Sequence, residues 1–196
     1  HHLSPNPGED FQMFEKDLPG KGTKNFATSA DDIGNLPLEV CETINGSWGF
    51  NLQDRKHKSE KELVQYLVKA AGYGSNLLLN VGPMPNGKIQ EEHIESLKKI
   101  GKWIKHNGQT IYNTKRGPIA PSDEIASTQN GNIIYIHLLD NKKLEYNIEG
   151  FNSKFKKITY LNSGKKVSIE KSKEGLSIFL DDKEIDHIDT ILKMEL

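Results

Sequence analysis

One apolar segment enclosed by two helical patterns restricts the fold of this chain more than any other feature of its sequence. The segment Asn76-Leu-Leu-Leu-Asn-Val-Gly-Pro83 is bounded by turn residues, which is typical of a parallel strand buried on both faces. Before it, Ser59 and Glu62 have the spacing of a capping box and predict the start of a helix that ends at Gly72. After it, apolar residues recur at helical spacing from about Glu91 to Lys105. The segment is therefore predicted to be a strand between two helices.

An earlier strand gives the chain an alternating order of strands and helices. Residues Leu38 to Ile44 alternate loosely between apolar and polar types and lead into the turn Asn45-Gly46. The resulting order of strand, helix, strand and helix predicts a parallel α/β sheet. Because two such units do not close a sheet, we expect them to be part of a larger domain whose first part is missing. Residues 1 to about 36 show no sustained period and predict a long irregular loop.

The pattern changes to short alternating runs after about Thr114. Runs such as Ile134 to Leu138 and Leu176 to Leu180 are separated by Asn-Gly, Asn-Lys, Ser-Gly and Glu-Gly turns. These runs predict a compact antiparallel β-domain. We place the boundary between residues 113 and 120, which gives one domain at 1–115 and a second at 116–196.

The composition narrows the class of partner. The chain has 35% hydrophobic and 27% charged residues and a formal net charge of -1, which argues against nucleic acid and a membrane surface as partners. No apolar run approaches the roughly 18 residues expected of a membrane span. The single Cys41 excludes an internal disulfide framework and a cysteine-based zinc cluster. A neutral or uncharged small partner fits these properties best.

Polar residues near the predicted strands are the candidates for chemistry, because ligands of parallel α/β sheets bind at the carboxyl ends of the strands. They include Glu39 and Trp48, and the preceding loop adds Glu9 and Glu15. Carboxyl groups near an exposed Trp suit sugar hydrolysis, which needs paired carboxyl groups and an apolar platform. Simpler interpretations also stand: an acidic loop residue is commonly a solvated surface group, and a Trp after a turn is commonly a core or lid residue.

Two further features have open interpretations at this point. His1 and His2 are either the remnant of a purification tag or polar groups of a binding site. No third ligand at helical spacing accompanies them, so a metal site is not predicted. Cys41 lies on an apolar strand with no cationic neighbour in sequence, which predicts a buried and unreactive thiol.

Three ordered motifs resemble one known family. The segment 76–83, followed by Asn86-Gly87, resembles the "GNLLLNVGP…DG" stretch of the α-L-fucosidases of glycoside hydrolase family 29, with Asn86 in place of the usual Asp. Residues 39–50 resemble the family's "WE…C…SWGY", although Leu38 replaces its Trp. Residues 101–112 resemble "GxWLxxNGxxIY". The resemblance covers about residues 1 to 115.

This resemblance implies both a fold and an activity. The implied fold class is α/β, the C-terminal portion of a (β/α)8-type barrel followed by an antiparallel β-sandwich domain. The implied activity is that of a retaining exo-α-L-fucosidase, which releases terminal L-fucose from glycans. The family's "W-x-D-G" word, which carries the Asp nucleophile, is absent from the chain. We therefore expect the chain to need the missing N-terminal half of the catalytic barrel as a partner, and to be inactive alone.

The resemblance also suggests roles for individual residues. Glu9 is the first choice for the catalytic acid/base by its loop position, with Glu39 second and Glu15 third. Trp48 matches the aromatic residue that lies against the fucose methyl group. Relatives carry polar residues at the end of the strand that precedes this loop. His1 and His2 are therefore interpreted as native substrate-binding residues. No cofactor and no metal are implied, and a periplasmic or secreted location is expected.

Two other classes of function remain open from the sequence. The C-terminal β-domain and the absent nucleophile are compatible with a non-catalytic carbohydrate-binding module. The half-barrel is also compatible with an interaction module that docks a partner. A carbohydrate-binding module that is stable without a partner would expose a raw sheet edge and an apolar helix stripe. The fucosidase interpretation is the preferred one.

Overall fold

Residues 8–19 and 36–196 are described by the computed structural model of the chain. The chain divides into two units, residues 1–108 and residues 109–196. The boundary predicted from sequence, after residue 115, lies a short way inside the second of these units. Among the described residues, the first unit has one sheet and the second has two, and each unit has its own set of buried side chains.

The first unit contains a three-stranded parallel sheet and two helices. The strands follow the order β1-β2-β3 across the sheet, and both pairs of neighbours run parallel. The helices follow the second and third strands, as the alternating sequence pattern predicts. The elements are β1 (Gln12–Glu15), β2 (Leu38–Thr43), α1 (Glu60–Gly72), β3 (Ser75–Asn80) and α2 (Glu91–Asn107).

Strand β1 corrects the prediction of an irregular loop over residues 1 to about 36. Within this strand Gln12 and Phe14 are buried while Met13 between them is 44% exposed. Four residues are too few for this alternation to be recognised in the sequence, and the strand forms because it pairs in register with Leu38 to Cys41 of β2. The correction matters for the site, because β1 ends at Glu15.

The two faces of the parallel sheet differ in their surroundings. On one face Phe14, Leu38 and Val40 form a buried cluster against which Tyr66 of α1 packs. On the other face Met13 and Leu78 are 44% and 47% exposed. Thus β3 is not covered on both faces by the described residues, in contrast to the prediction from its apolar sequence.

The capping box predicted for α1 is confirmed. Ser59 Oγ accepts a hydrogen bond from the Glu62 backbone N–H at 3.2 Å, and Glu62 Oε2 accepts one from the Ser59 backbone N–H at 2.7 Å. These two bonds satisfy N–H groups that have no partner inside the helix. The helix start is consequently fixed next to the loop that leaves β2.

The second unit is antiparallel β, as the alternating runs predict. A five-stranded sheet has the order β4-β5-β6-β11-β8 and a three-stranded sheet has the order β7-β10-β9. Both sheets contribute to one buried cluster, with Ile136, Ile178 and Leu192 fully buried in it. The strands are β4 (Lys115–Arg116), β5 (Ile125–Asn130), β6 (Ile133–Leu138), β7 (Glu145–Glu149), β8 (Lys157–Tyr160), β9 (Ser168–Lys171), β10 (Gly175–Phe179) and β11 (Thr190–Glu195).

Candidate active site at the ends of the parallel strands

Three polar side chains lie at the carboxyl ends of the three parallel strands. Glu15 is the last residue of β1, Thr43 of β2 and Asn80 of β3. Thr43 pairs directly with Asn80, and Glu15 pairs with Cys41, two residues before Thr43. Paired residues of neighbouring strands point to the same face of a sheet, so all three lie on the face that carries exposed Met13. This is the edge at which parallel α/β sheets bind ligands.

Trp48 connects the ends of the outer two strands. Its indole Nε1 donates a hydrogen bond to Glu15 Oε1 at 3.0 Å, and its backbone oxygen accepts one from Asn80 Nδ2 at 2.7 Å. The Lys16 ammonium lies 5.0 Å from the centroid of the indole ring and donates to the Gly46 carbonyl at 2.6 Å. The Trp48 side chain is 37% exposed, so part of the ring remains available for contact with a ligand.

A network of side chains shapes the loop on which Trp48 lies. Ser47 Oγ donates to Asp54 Oδ2 at 2.8 Å and accepts from Asn51 Nδ2 at 3.2 Å. The hydrogen bond from Ser47 lowers the pKa of Asp54, and backbone N–H groups contribute in the same direction. Asp54 therefore stays ionised and fixes the turn that presents Trp48.

Lys58 anchors the base of this loop at the end of β2. Its ammonium donates to the carbonyls of Thr43 at 2.8 Å and Asn45 at 3.2 Å, and pairs with Glu42 Oε1 at 3.3 Å. The carboxylate of Glu42 is nearly buried and also accepts from the Thr43 backbone N–H at 2.7 Å. Hydrogen bonds between ionised partners are stronger than neutral ones. The end of β2 is therefore held in one conformation.

The motif at 80–83 holds the Trp48 loop from the opposite side. Asn80 binds the Trp48 backbone, and Gly82 packs against the backbone of Gly49 and Phe50. A Cβ at Gly82 would lie 2.5 Å from the carbonyl carbon of Gly49, which is far inside van der Waals contact. The absence of a side chain at this position is thus a requirement of the close approach of two loops.

We expect Gly82→Ala to displace the Trp48 loop and to destabilise the first unit by about 1–3 kcal/mol, the usual cost of overpacking. Gly49→Ala is a matched control in the same loop, since a Cβ there meets nothing within 4 Å. Urea unfolding measures the stability, and the indole N–H resonance of Trp48 reports the local geometry. Equal effects of the two substitutions would contradict the close-approach argument.

A pair of histidines joins the Trp48 loop to the start of α2. The rings of His57 and His93 lie edge to face with centroids 5.3 Å apart, and His57 Nε2 lies 3.3 Å from Gln90 Nε2. His93 is 1% exposed, and neither of its ring nitrogens has a hydrogen-bond partner among the described residues. Burial lowers the pKa of His93, and His57 lowers it further, while Glu92 and Asp54 oppose the shift. His93 is consequently neutral at neutral pH.

The lowered pKa of His93 makes the first unit sensitive to acid. In the unfolded chain His93 binds its proton below about pH 6.5, whereas the folded chain resists protonation to a lower pH. Stability is therefore fully present above about pH 6.5 and falls as the pH falls toward the folded-state pKa. We expect His93→Gln to flatten the loss of unfolding free energy between pH 7 and pH 5, measured by urea unfolding. His106→Gln, which removes an exposed histidine of the same helix, should leave the loss unchanged.

The carboxyl groups ranked first and second from sequence lie away from the carboxyl ends of the strands. Glu9 precedes β1 by three residues, and Glu39 is the second residue of β2, level with Met13 and Asn76. At about 3.3 Å per residue, Glu39 is roughly 13 Å along the strand from Thr43. Glu15, ranked third, is the carboxyl group that contacts Trp48. His1 and His2 lie outside the described residues.

Other potential chemistry is limited in the part of the chain that the structure describes. Residues 8–19 and 36–196 contain no group of three or more His, Cys, Asp or Glu side chains arranged to hold a metal ion. None of the helices in these ranges has the length and apolar character needed to cross a membrane. Cys41 is half-buried, and burial followed by the charge of Glu15 raises the pKa of its thiol. The thiol is therefore a poor nucleophile.

A carboxyl group beside an exposed indole at the carboxyl ends of parallel strands is typical of enzymes that act on sugars. The sequence profile of the family described as Alpha-L-fucosidase matches residues 1–109. This match covers more than half of the 196 residues. The chain belongs to the α-L-fucosidase family, as its three motifs predict.

Individual relatives agree with this assignment. Tissue alpha-L-fucosidase from Bos taurus is 32% identical over 152 residues, which are 72% of this chain and 32% of that protein. Alpha-L-fucosidase isoenzyme 1 from Paenibacillus thiaminolyticus has a TM-score of 0.78 at 29% identity, over 95% of this chain and 45% of that one. Thermotoga maritima alpha-fucosidase, solved with a mechanism based inhibitor, has a TM-score of 0.79 at 26% identity, over 97% and 44%. The chain thus spans less than half the length of these relatives.

Proposed function

We propose that this chain forms the carboxyl-terminal part of a retaining exo-α-L-fucosidase that releases terminal L-fucose from glycans. The observation that carries the proposal is the hydrogen bond between Glu15 and Trp48 at the carboxyl ends of the parallel strands, in a chain of the α-L-fucosidase family. Retaining glycosidases need two carboxyl groups about 5–5.5 Å apart, one as nucleophile and one as acid/base. In this proposal the chain supplies the second group.

Glu15 is the acid/base that the geometry supports best. Its carboxyl group lies on the open face at the end of β1, and the indole N–H of Trp48 fixes the orientation of Oε1. A general acid must lie within hydrogen-bond reach of the leaving-group oxygen, so a fixed carboxyl group at the ligand-binding edge is favoured. Glu9 and Glu39 remain the sequence-based candidates, but Glu9 precedes β1 and Glu39 lies near the amino end of β2.

Trp48 provides the apolar surface of the proposed fucose site. The exposed part of its ring is available to the fucose methyl group. Asn80 binds its backbone oxygen, and Gly82 packs against the next two residues of the loop. Burial of a methyl group against an aromatic ring is favourable through the hydrophobic effect. His1 and His2 are retained as proposed substrate-binding residues. No cofactor and no metal ion takes part in this proposal.

The parallel sheet is proposed to be part of a (β/α)8-type barrel, followed by an antiparallel β-sandwich. Exposed Met13 and Leu78 support this idea, because the inner face of such a barrel is filled by side chains from the other strands. The missing N-terminal half of the catalytic barrel would cover this face and supply the Asp nucleophile. The chain alone would then hold one carboxyl group of the pair and would not hydrolyse fucosides.

The proposal is tested by hydrolysis of an aryl α-L-fucoside, with the anomer of the released fucose followed by NMR. We expect the enzyme that contains this chain together with the rest of its barrel to release α-L-fucose first, and the 196-residue chain alone to show no turnover. Initial release of β-L-fucose would overturn the retaining mechanism. Turnover by the chain alone would overturn the proposal that a further barrel segment completes the active site.

A further inference from the structure

The antiparallel unit has a surface groove of about 220 Å³ beside its three-stranded sheet. The groove lies between the segment that follows β7 and the hairpin that joins β9 to β10. We refer to it as the Phe groove, and the lining residues that matter here are Phe151, Ser153, Lys154, Phe155, Lys171 and Leu176. It belongs entirely to residues 109–196 and is separate from the strand ends described above.

The inner surface of the Phe groove is apolar. Leu176 is 2% exposed, and the half-buried rings of Phe151 and Phe155 pack against the core of the unit. The two ring centroids are 6.4 Å apart and the ring planes are inclined by 49°. Tilted rings over an apolar base make a concave surface that suits the C–H face of a sugar ring.

The rim of the Phe groove is positively charged. Its charged lining residues are Lys154 and Lys171, and neither has a salt bridge within the described residues. The Lys171 ammonium lies 3.5 Å from the centroid of the Phe155 ring, so a cation is held directly over the aromatic surface. Ser153 adds a hydroxyl group that donates or accepts a hydrogen bond. The groove is thus complementary to an anionic ligand with an apolar face.

We propose that the Phe groove binds an acidic saccharide, with its sulfate or carboxylate group against Lys154 and Lys171 and a ring face against Phe151. The choice of a saccharide rests on the proposed glycosidase function. The anionic preference rests on the two lysines alone. Binding at this groove does not require the nucleophile, so the 196-residue chain itself can be tested.

The test is NMR titration of the 196-residue chain with lactose monosulfate, sialyllactose, lactose and inorganic sulfate. We expect the two acidic saccharides to shift the amide resonances of Lys171 and Gly175 and to bind on the order of tenfold more tightly than lactose. Lys171→Gln should weaken this binding about fivefold, in line with one exposed charge contact. Lys173→Gln removes a lysine of the same hairpin that does not line the groove, and should change the affinity little.

Three outcomes of the titrations would overturn the inference. Equal binding of lactose and lactose monosulfate would remove the role of the lysines, and equal binding of inorganic sulfate would remove the role of the sugar. Shifts confined to residues outside the groove would place the ligand elsewhere. A failure of fucoside hydrolysis by the complete enzyme, with these titrations unchanged, would overturn the proposed activity and leave the groove intact.

Discussion

Glu15→Gln is expected to lower kcat/KM for methyl α-L-fucoside by about 10²–10⁴-fold, the usual contribution of general acid catalysis. The methoxide leaving group needs a proton from the enzyme, and the amide of Gln does not supply one. Dinitrophenyl α-L-fucoside has a leaving group that departs without a proton, so the loss with this substrate should be much smaller. The measurement is the ratio of kcat/KM for the two substrates in the complete enzyme, before and after the substitution.

Glu9→Gln and Glu39→Gln are the matched controls, because they remove the carboxyl groups ranked first and second from sequence. We expect neither to change the ratio between the two substrates. Azide, which attacks the glycosyl-enzyme without help from a general base, should raise the turnover of dinitrophenyl fucoside by the Glu15 variant. An equal loss on both fucosides would show that Glu15 acts only in the structure, and a changed ratio for Glu9→Gln would move the assignment to Glu9.

Much of the first unit follows from local signals in the sequence. The capping box at Ser59 and Glu62 fixes the start of α1, and the apolar segment from Asn76 is a strand in the structure. These signals are strong because each involves several residues, and their spacing fits only one type of secondary structure. The order of strand, helix, strand and helix was predictable for the same reason.

Strand β1 was not predictable in this way. Its four residues form a strand through pairing with β2, which is remote in sequence. Because the sequence predicts a loop at β1, it gives Glu15 no defined position and ranks it below Glu9. The residue types give no signal here, because polar Gln12 is buried and apolar Met13 is exposed, and this burial pattern is set by the pairing with β2.

The function of the motif around Asn80 and Gly82 also depends on contacts that sequence alone does not contain. Because Asn80 is the last residue of a strand, local sequence rules assign it no role beyond ending that strand. In the structure it binds the backbone of Trp48, 32 residues away. Gly82 similarly lies against the backbone of Gly49, and this close approach is the reason for a glycine at this position. Such long-range contacts explain why a family resemblance identifies the motif before any local rule does.

The second large effect is expected at a buried, hydrogen-bonded histidine and aspartate pair of the antiparallel unit. His137 Nδ1 lies 2.7 Å from Asp189 Oδ2, and both side chains are completely buried. Burial raises the pKa of Asp189, whereas the neighbouring His137 opposes that rise. Neither the second nitrogen of His137 nor the second oxygen of Asp189 has a hydrogen-bond partner among the described residues. The hydrogen bond between the two groups is therefore what offsets the cost of burying each of them.

Asp189→Ala should reduce the free energy of unfolding of this unit by about 3–5 kcal/mol, because it leaves the His137 imidazole buried without a partner. For a unit of this size the corresponding fall in Tm is at least about 12 °C. Asp189→Asn keeps a carbonyl acceptor for His137 and should cost only about 1–2 kcal/mol. The double variant His137→Leu/Asp189→Leu removes both polar groups and should be more stable than Asp189→Ala. Urea unfolding followed by circular dichroism gives all three values. A double variant less stable than Asp189→Ala would show that the cost comes from lost packing, and not from an unpaired buried group.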